Sequence, residues 1–277
     1  MKSLNGKVVV ITGAGSGMGR EMTLLAARSG ARLAISDWNP DSIAQTAVLA
    51  KDAGALEIRS DVVDVSDRTA VKTWADAVAE QFGTVNVVVN NAGVTMTGDF
   101  VDMTEEEFDW IVGINFDGVI TGTRAFLPHL IASGDGHLIN ISSLFGLISM
   151  PGQTAYNATK YAVRGFTEAL REEMLIAKHP VTVTCVHPGG IKTGIAKHGR
   201  KTQHTDSAAI DAVFDRLATM SPEKAARIIL KGGMKGQARV LVGLDAHALH
   251  QFAKLTGSRY QDVIAIVGGR VLGGTKK

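Results

Sequence analysis

Tyr156 and Lys160 stand four residues apart, a spacing that places both side chains on one face of a helix. A phenol titrates near about pH 10, so it is a poor general base at neutral pH unless a nearby cation stabilises the phenolate. Lys160 supplies such a cation. Ser143, thirteen residues before Tyr156, has a hydroxyl that can hold a substrate oxygen. We therefore consider these three residues candidates for proton transfer at a hydroxyl or carbonyl group.

A glycine-rich stretch follows the first apolar run of the chain, with the sequence Thr12-Gly13-Ala14-Gly15-Ser16-Gly17-Met18-Gly19. Gly13 permits a tight turn, Gly17 lets the backbone approach a pyrophosphate, and Gly19 allows close packing of a helix on a strand. The N-terminus of the next helix would face the negative charge. Because plain turns are also rich in glycine, the stretch alone indicates a dinucleotide site only weakly.

Asp37 ends the second apolar run, 24 residues after Gly13. A carboxylate at this place accepts both hydroxyls of an adenosine ribose and repels a 2′-phosphate. The next residue is Trp38, and Ser16 in the glycine loop is uncharged, so neither offers a cation to a 2′-phosphate. We therefore expect NAD rather than NADP. A helix-capping or solvated carboxylate is the alternative for Asp37, and Trp38 is either a cover on the adenine or an exposed loop residue.

Short runs rich in β-branched residues alternate with longer stretches of helical spacing. The runs are Lys7–Thr12, Arg32–Asp37, Glu57–Asp61, Val85–Asn90, His137–Ser142, Val181–His187 and Arg239–Val242. The helical stretches span residues 17–29, 40–53, 66–82, 104–133, 153–179 and 222–236. The runs are continuously apolar, as in strands buried on both faces of a parallel sheet. This alternation predicts a single-domain α/β fold, a doubly wound, Rossmann-like sheet of seven parallel strands.

Two segments fall outside the alternation. Residues 193–220 form a long connection, which we expect to be a substrate lid. Residues 243–277 form a C-terminal extension that could cover the pocket, exchange with a neighbouring subunit or touch a membrane surface. No linker-like composition divides residues 1–242, so we expect one catalytic domain there.

Composition argues against several classes of protein. A net charge of +2 is too small to imply a basic groove for nucleic acid, and 5% aromatic residues leave few stacking platforms, so we expect no nucleic-acid partner. No apolar run approaches the roughly 20 residues of a membrane span, and Val8–Ile11 is too short for a secretory signal. The single Cys185 forbids an internal disulfide, so we expect a cytoplasmic protein. Only His247 and His250 lie close at helical spacing, so we expect no metal site.

In order and in register, these and later motifs resemble those of the short-chain dehydrogenase/reductase family. Thr12-Gly13-x-x-x-Gly17-x-Gly19 is similar to the family's cofactor loop, and Asp61-Val62 is similar to its adenine contact. Asn90-Asn91-Ala92-Gly93 resembles the segment that steadies the central sheet beside the cofactor. A third motif, Pro188-Gly189-Gly190-Ile191-Lys192-Thr193, resembles the loop that binds the nicotinamide carboxamide in the family.

The resemblance, which covers about residues 6–242, implies an oxidoreductase that transfers a hydride. Four residues fall at the positions of the family's catalytic tetrad: Asn115, Ser143, Tyr156 and Lys160. Tyr156 is then the general acid/base, and Ser143 binds the substrate oxygen. Lys160 lowers the pKa of the phenol and binds the nicotinamide ribose. Asn115 holds a water that joins Lys160 to solvent.

The residues and the resemblance together predict a cofactor site and a substrate pocket. The cofactor site comprises Gly13, Ser16, Gly17, Met18, Gly19, Asp37, Trp38, Asp61, Val62, Asn91, Ala92, Gly93, Tyr156, Lys160, Pro188, Gly189, Ile191 and Thr193. Apolar neighbours of the tetrad favour a hydrophobic secondary alcohol or ketone as the small-molecule substrate, and they are Val94, Met96, Leu144, Phe145 and Met150. The resemblance also implies a homodimer or homotetramer that pairs the helices at 104–133 and 153–179.

Three functions remain open at this point. An NAD-dependent alcohol/ketone oxidoreductase is favoured. An NADP-dependent 3-ketoacyl-type reductase is disfavoured by Asp37, and a catalytically silent NAD-sensing regulator is disfavoured by the intact tetrad. The lid is equally open, since it is either a mobile solvated loop or a cover for an anionic part of the substrate. From Ile191 to Thr205 the basic residues and histidines are Lys192, Lys197, His198, Arg200, Lys201 and His204.

Overall fold

The computed structural model describes residues 1–272 of the chain, excluding the side chains at positions 207, 209, 211, 213 and 267–272. Within this range the strands are β1 (Val8–Thr12), β2 (Arg32–Asp37), β3 (Glu57–Val62), β4 (Val87–Asn90), β5 (Met96–Thr97), β6 (Gly136–Ile141), β7 (Val181–Pro188), β8 (Arg200–Lys201) and β9 (Arg239–Val242). The α-helices are α1 (Gly17–Arg28), α2 (Pro40–Asp52), α3 (Arg68–Phe82), α4 (Glu105–Val112), α5 (Gly118–Ala132), α6 (Thr154–Ile176), α7 (Ser207–Leu217), α8 (Pro222–Met234), α9 (Leu244–Thr256) and α10 (Tyr260–Leu272).

Seven of these strands form one parallel sheet in the order β3-β2-β1-β4-β6-β7-β9. The strand order reverses between β1 and β4, so the carboxyl ends of these two strands border a crevice. Their register places Ile11 of β1 opposite Val89 of β4. This sheet confirms the doubly wound α/β fold predicted from the alternation of runs.

Alternate residues of the central strands enter two separate apolar cores. Val9 and Ile11 belong to the core that includes residues of α1 and α8, while Val8 and Val10 belong to the core with α3 and α5. All four side chains are fully buried. Because both faces of β1 are covered, an unpaired polar side chain at Val8–Ile11 would cost free energy. These four positions therefore form one continuous apolar run.

The helix predicted over residues 104–133 forms, from Glu105 to Ala132, but it is not α-helical throughout. The capping box of Thr104 and Glu107 starts α4, and Gly113–Asp117 is a π-helical turn between α4 and α5. Such turns within α-helices are frequent at functional sites. This one carries Asn115, one of the predicted tetrad residues, at a fully buried position.

The segment 193–220 contains regular structure that the sequence did not predict. Strand β8 pairs in parallel with β5, and α7 follows it. The guanidinium of Arg200 lies 4.0 Å from the centroid of the Trp110 ring on α4. The segment is therefore attached at its centre to the part of the chain between β4 and α5.

The chain after β9 continues as α9 and α10. Ala246 and Tyr260 of these helices are buried in one apolar cluster with Leu144 and Ile148, which follow β6. Residues 273–277 of the predicted extension lie outside the described residues. Among the helices that the structure describes, none combines the length and the apolarity needed to cross a bilayer.

Candidate active site

Ser143, Tyr156 and Lys160 meet at the carboxyl edge of the sheet. Ser143 comes two residues after β6 and caps a short 3-10 turn by accepting a hydrogen bond from the Phe145 N–H at 3.1 Å. Tyr156 and Lys160 lie in the first two turns of α6. The hydroxyl of Ser142 donates to the carbonyl oxygen of Lys160 at 2.8 Å. This bond fixes the start of α6 to the end of β6, so the three side chains share one edge.

The three side chains form one buried cluster. Ser143 and Tyr156 are each 9% exposed, and Lys160 is 3% exposed. The hydroxyl of Ser143 lies close enough to the Tyr156 phenol to lower its pKa. Lys160 Nζ lies 5.6 Å from the centroid of the Tyr156 ring and donates to the carbonyl oxygen of Ile141 at 3.2 Å. A phenol, a hydroxyl and an ammonium group are thus close enough to act on one substrate oxygen.

Burial opposes the charged forms of both titratable members of the cluster. It raises the pKa of the Tyr156 phenol, and the hydrogen bond with Ser143 lowers that pKa by a smaller amount. It also lowers the pKa of Lys160 to about 8. The phenolate therefore needs a positive charge in addition to Lys160, and an oxidised nicotinamide carries one.

Asn115 lies beside Lys160, with Gly93 between them. Its Oδ1 accepts a hydrogen bond from the Val94 N–H at 2.8 Å, and its Nδ2 donates to the Val94 carbonyl at 2.9 Å. Nδ2 also donates to Thr159 Oγ1 at 3.3 Å. A Cβ on Gly93 would lie 3.1 Å from Asn115 Oδ1 and 3.4 Å from Lys160 Nζ. The missing side chain leaves a small space bordered by both polar groups.

The loop between β1 and α1 presents an uncapped helix N-terminus. Gly13 has a φ of +64°, and a Cβ on it would lie 2.7 Å from Ala92 Cα. A Cβ on Gly19 would overlap the carbonyl oxygen of Gly13. The side chain of Ser16 caps no N–H group in the first turn of α1. These free donors, together with the positive end of the helix, fit a pyrophosphate.

Asp37 is held at the end of β2 beside the glycine loop. Its Oδ2 accepts a hydrogen bond from the Gly15 N–H at 2.9 Å, and its Oδ1 accepts one from the Asn39 N–H at 3.0 Å. The side chain is 9% exposed, whereas that of Trp38 is 72% exposed. The carboxylate is therefore fixed, and the tryptophan is exposed beside it. This arrangement suits recognition of two ribose hydroxyls.

Asp61 and Val62 lie at the end of β3, as predicted. The carboxylate of Asp61 accepts hydrogen bonds from the Arg59 guanidinium at 2.8 Å and from Trp74 Nε1 at 3.0 Å. Val62 is exposed. Because internal donors already occupy the carboxylate, the adenine contact predicted for this pair depends on Val62 and on the remaining acceptor capacity of Asp61.

Asn91 and Ala92 join β4 to the end of β1. The hydroxyl oxygen of Thr12 accepts hydrogen bonds from the N–H groups of Asn91 and Ala92 at 3.0 and 3.1 Å. Asn91 Nδ2 donates to the carbonyl oxygens of Thr12 and Gly13 at 2.9 and 3.1 Å. The amide side chain therefore fixes the first turn of the glycine loop, which agrees with a steadying role for this segment.

The loop Pro188–Thr193 borders the opposite side of the crevice. It begins where β7 ends, and Ile191 within it is 8% exposed. A Cβ on Gly17 would lie 3.2 Å from Thr193 Cγ2, so the loop reaches the start of α1, where Met18 follows. The crevice is thus closed on two sides by loops that the resemblance assigns to the cofactor.

A cavity of about 600 Å³ opens beside Ser143 and Tyr156. Three of the predicted substrate residues line it: Leu144, Phe145 and Met150. Val94 and Met96 do not line it, and they pack with Tyr156 in a small apolar cluster instead. Additional apolar walls come from the segment after the loop, at Ile195, Ala196, Phe214 and Leu217.

Only two members of the predicted basic set between Ile191 and Thr205 line this cavity. Lys192 and Lys197 line it, and Lys197 Nζ lies 3.9 Å from Asp215 Oδ2 in an exposed pair. Arg200 instead lies over the ring of Trp110. An anionic part of a substrate would therefore meet two lysines rather than the whole basic set.

Comparison with known proteins shows which family the chain belongs to. Residues 7–204 match the family described as short chain dehydrogenase. The chain belongs to the short-chain dehydrogenase/reductase family. It is 55% identical over 267 residues to SadH of Mycobacterium tuberculosis, which is named as an oxidoreductase, with 96% of each chain covered. The chain is therefore an oxidoreductase of a family that uses nicotinamide cofactors.

More distant members of the dehydrogenase family also align along most of the chain. The 3-oxoacyl-[acyl-carrier-protein] reductase FabG of Thermotoga maritima is 34% identical, with 82% of this chain and 90% of that chain covered. A short chain dehydrogenase/reductase from Burkholderia phymatum, solved in complex with NAD, has a TM-score of 0.85 at 30% identity. That match covers 92% of this chain and 95% of the solved one.

Contacts of three residues with the site were not predicted from the sequence. His187 is fully buried with Nδ1 2.8 Å from the Ser143 carbonyl oxygen. Asp245 and Leu249 of α9 line the cavity, and their spacing of four residues indicates only that they share one face of a helix. Among the residues described, no group of three His, Cys, Asp or Glu side chains is placed to hold a metal ion.

Proposed function

We propose that this dehydrogenase is an NAD-dependent enzyme that interconverts a hydrophobic secondary alcohol and a ketone. The observation that carries the proposal is the buried cluster of Ser143, Tyr156 and Lys160 at one end of a largely apolar cavity. A substrate oxygen placed between the two hydroxyls meets a hydrogen-bond donor and a proton-transfer group at once. The positive charges that favour the phenolate are those of Lys160 and of an oxidised nicotinamide.

The choice of NAD over NADP is supported by Asp37. Its carboxylate is fixed by two backbone N–H groups at the end of β2. A 2′-phosphate on the adenosine ribose would meet this negative charge, whereas the two hydroxyls of NAD are donors to it. The neighbouring Trp38 brings no compensating cation. The uncapped start of α1 suits the pyrophosphate of either dinucleotide, so the ribose end decides between them.

The mechanism assigns one task to each member of the cluster. In alcohol oxidation, Tyr156 Oη takes the hydroxyl proton while Ser143 Oγ donates a hydrogen bond to the same oxygen. NAD held by the glycine loop and by Pro188–Thr193 would supply the hydride acceptor for the carbinol hydrogen. Lys160 Nζ stabilises the phenolate through its charge. A water beside Asn115 and Lys160 would pass the proton towards solvent.

The substrate is expected to be bulky and apolar on one side of its carbinol carbon. Leu144, Phe145 and Met150 form that wall, with residues 193–220 as the lid above it. The extension 243–277 adds Leu249. Of the cavity volume of about 600 Å³, part is needed by the nicotinamide itself, so the remainder suits a ring or a medium-length chain.

The decisive experiment is a screen of secondary alcohols and ketones with the NAD and NADP couples measured in parallel. Turnover with NAD supports the proposal. Tyr156→Phe should keep the Kd for NAD within about twofold and lower kcat by about a thousandfold, the size of a lost general acid/base. Tyr161→Phe controls for the loss of a phenol hydroxyl on α6, and because Tyr161 contacts Ser149 and Tyr260 rather than lining the cavity, kcat should change only a few fold. A near-wild-type rate for Tyr156→Phe would show that the acid/base is another group.

The same screen separates the two alternatives. The similarity to a 3-oxoacyl-[acyl-carrier-protein] reductase motivates the inclusion of a 3-oxoacyl thioester with NADPH. Turnover of that pair alone would replace the proposal with a ketoacyl-type reductase. NAD binding without turnover across the whole panel would instead favour a silent NAD-sensing protein.

The expected assembly is a homodimer or a homotetramer, as in the family that the chain resembles. Light scattering of the full chain after size-exclusion chromatography measures this directly. A mass equal to that of one chain at micromolar concentration would contradict it.

A further inference from the structure

The extension after β9 contacts both loops that border the cavity. On one side, the hydroxyl oxygen of Tyr260 accepts a hydrogen bond from the Ser149 N–H at 3.0 Å. On the other side, Asp245 Oδ2 accepts one from the Gly190 N–H at 2.6 Å. Ser149 belongs to the segment after Ser143, and Gly190 belongs to the loop Pro188–Thr193. Two helices outside the predicted 1–242 domain therefore hold both edges of the site.

The carboxylate of Asp245 occupies a space that two glycines leave open. A Cβ on Gly189 would overlap the carboxylate, and a Cβ on Gly243 would overlap it as well. The Gly189 N–H donates to the carbonyl oxygen of Val242 at 2.9 Å, which ties the same loop to β9. The carboxylate thus lies directly between the end of β9 and the loop Pro188–Thr193. Only glycine at positions 189 and 243 leaves room for it.

The bond from Asp245 complements other contacts of the same loop. The carbonyl oxygen of Gly190 accepts hydrogen bonds from Thr219 and Met220 at 3.1 and 3.2 Å, and the Lys192 N–H donates to Met220 at 2.8 Å. These bonds tie the loop to the segment before α8. Asp245 accepts a hydrogen bond from the N–H of Gly190, which belongs to the preceding peptide group. A carboxylate acceptor makes this bond stronger than one between neutral groups.

We propose that Asp245 is a positioning residue that fixes the loop Pro188–Thr193 for the nicotinamide. This inference rests on the proposed function, in which that loop holds the reacting end of NAD. Leu249 lies one turn further along α9 and lines the cavity together with Asp245. Helix α9 therefore sets the loop on the cofactor side and forms part of the wall on the substrate side.

The test compares three variants in the full chain. Asp245→Ala removes the acceptor and should raise the Kd for NAD about tenfold, the effect of one charge-assisted hydrogen bond. It should also lower kcat and increase the deuterium isotope effect, since a loose loop makes hydride transfer slower. Asp245→Asn keeps an acceptor oxygen and should restore the Kd to within about threefold of the wild-type value. Asp262→Ala, in the first turn of α10, is the matched control with an exposed acid.

A double-mutant cycle gives a readout that general destabilisation does not reproduce. Gly189→Ala places a methyl group against the carboxylate and should weaken NAD binding in the wild-type background. The same substitution should cost much less in Asp245→Ala, because the clashing group is gone. Additive losses, or an unchanged Kd in Asp245→Ala, would overturn the inference. A wild-type protein that does not bind NAD would instead refute the proposed function, so the two failures are distinguishable.

Discussion

Lys160 Nζ lies 5.6 Å from the centroid of the Tyr156 ring, and both side chains are buried. Burial lowers the pKa of Lys160 to about 8, from an ordinary value of 10.5 that the unfolded chain keeps. Below pH 8 the lysine is protonated in both states, and the folded state carries the full desolvation cost. Between about pH 8 and 10.5 only the unfolded state still binds the proton, so the free energy of unfolding rises with pH.

Lys160→Met should remove this dependence. A shift of this size corresponds to about 3 kcal/mol at neutral pH, from which about 1 kcal/mol is lost with the hydrogen bond to Ile141. The cofactor-free variant should therefore be about 2 kcal/mol more stable than the wild type at pH 7, although it is inactive. Urea unfolding from pH 7 to 10 measures the difference, and exposed Lys72→Met is the control. Parallel stability curves for wild type and Lys160→Met would contradict the explanation.

Asp37→Asn tests how the enzyme chooses its cofactor. The amide keeps the shape and one acceptor for the Gly15 or Asn39 N–H, but it removes the negative charge. The Kd for NADP should fall about tenfold, while the Kd for NAD should rise a few fold because two ribose hydroxyls lose a charged acceptor. Titration with both dinucleotides at low salt measures the ratio. Asp41→Asn, an exposed acid at the start of α2, should leave the ratio unchanged.

The central sheet was predictable because burial on both faces leaves a local signature. Each residue of β1 is fully or nearly fully buried, so the whole strand had to be apolar and could be recognised without tertiary information. The capping box of Thr104 and Glu107 is similarly local, since both partners lie within four residues. Tyr156 and Lys160 could be paired because a helix brings residues four apart together whatever surrounds it.

The remaining features depend on contacts that no short segment encodes. The π-helical turn at Gly113–Asp117 replaces regular helix where Asn115 bonds to Val94 across the sheet edge. Strand β8 exists only through its pairing with β5, about a hundred residues earlier. The place of Asp245 follows from the glycine at 189, which was assigned to the cofactor alone. In each case the partner is distant in sequence, and spacing gives no sign of it.

His187→Phe tests whether the hydrogen bond from His187 on β7 to the Ser143 carbonyl positions Ser143. Burial lowers the pKa of His187 to about 4, so the ring is neutral at ordinary pH, and Nδ1 carries a proton because its partner is the Ser143 carbonyl. Phenylalanine keeps a ring of similar size but donates nothing. The stability should fall by about 1 kcal/mol or less, because the Ser143 carbonyl still accepts a hydrogen bond from the Gly146 N–H at 2.9 Å, and kcat should fall while the Kd for NAD stays unchanged. Exposed His179→Phe is the control, and a wild-type kcat in His187→Phe would refute the support.

Gly98 tests the attachment of the 193–220 segment to the body of the enzyme. Gly98 has a φ of +146°, and a Cβ on it would overlap the side chain of Thr202, just after β8. Gly98→Ala should therefore displace β8 from β5. If the free energy for detaching the 193–220 segment falls by about 1.4 kcal/mol, the detached population rises about tenfold. Trypsin should then cleave after Lys197 about ten times faster.

The control for this prediction separates backbone strain from loss of the attachment. Gly134 also has a positive φ, of +76°, but a Cβ on it would meet nothing within 4 Å. Gly134→Ala should thus lower global stability slightly without exposing Lys197. In Gly98→Ala, the substrate KM should rise together with the cleavage rate, because the displaced segment carries Ile195 and Ala196 of the cavity wall. Equal cleavage rates in the two variants would show that Thr202 does not hold the segment closed.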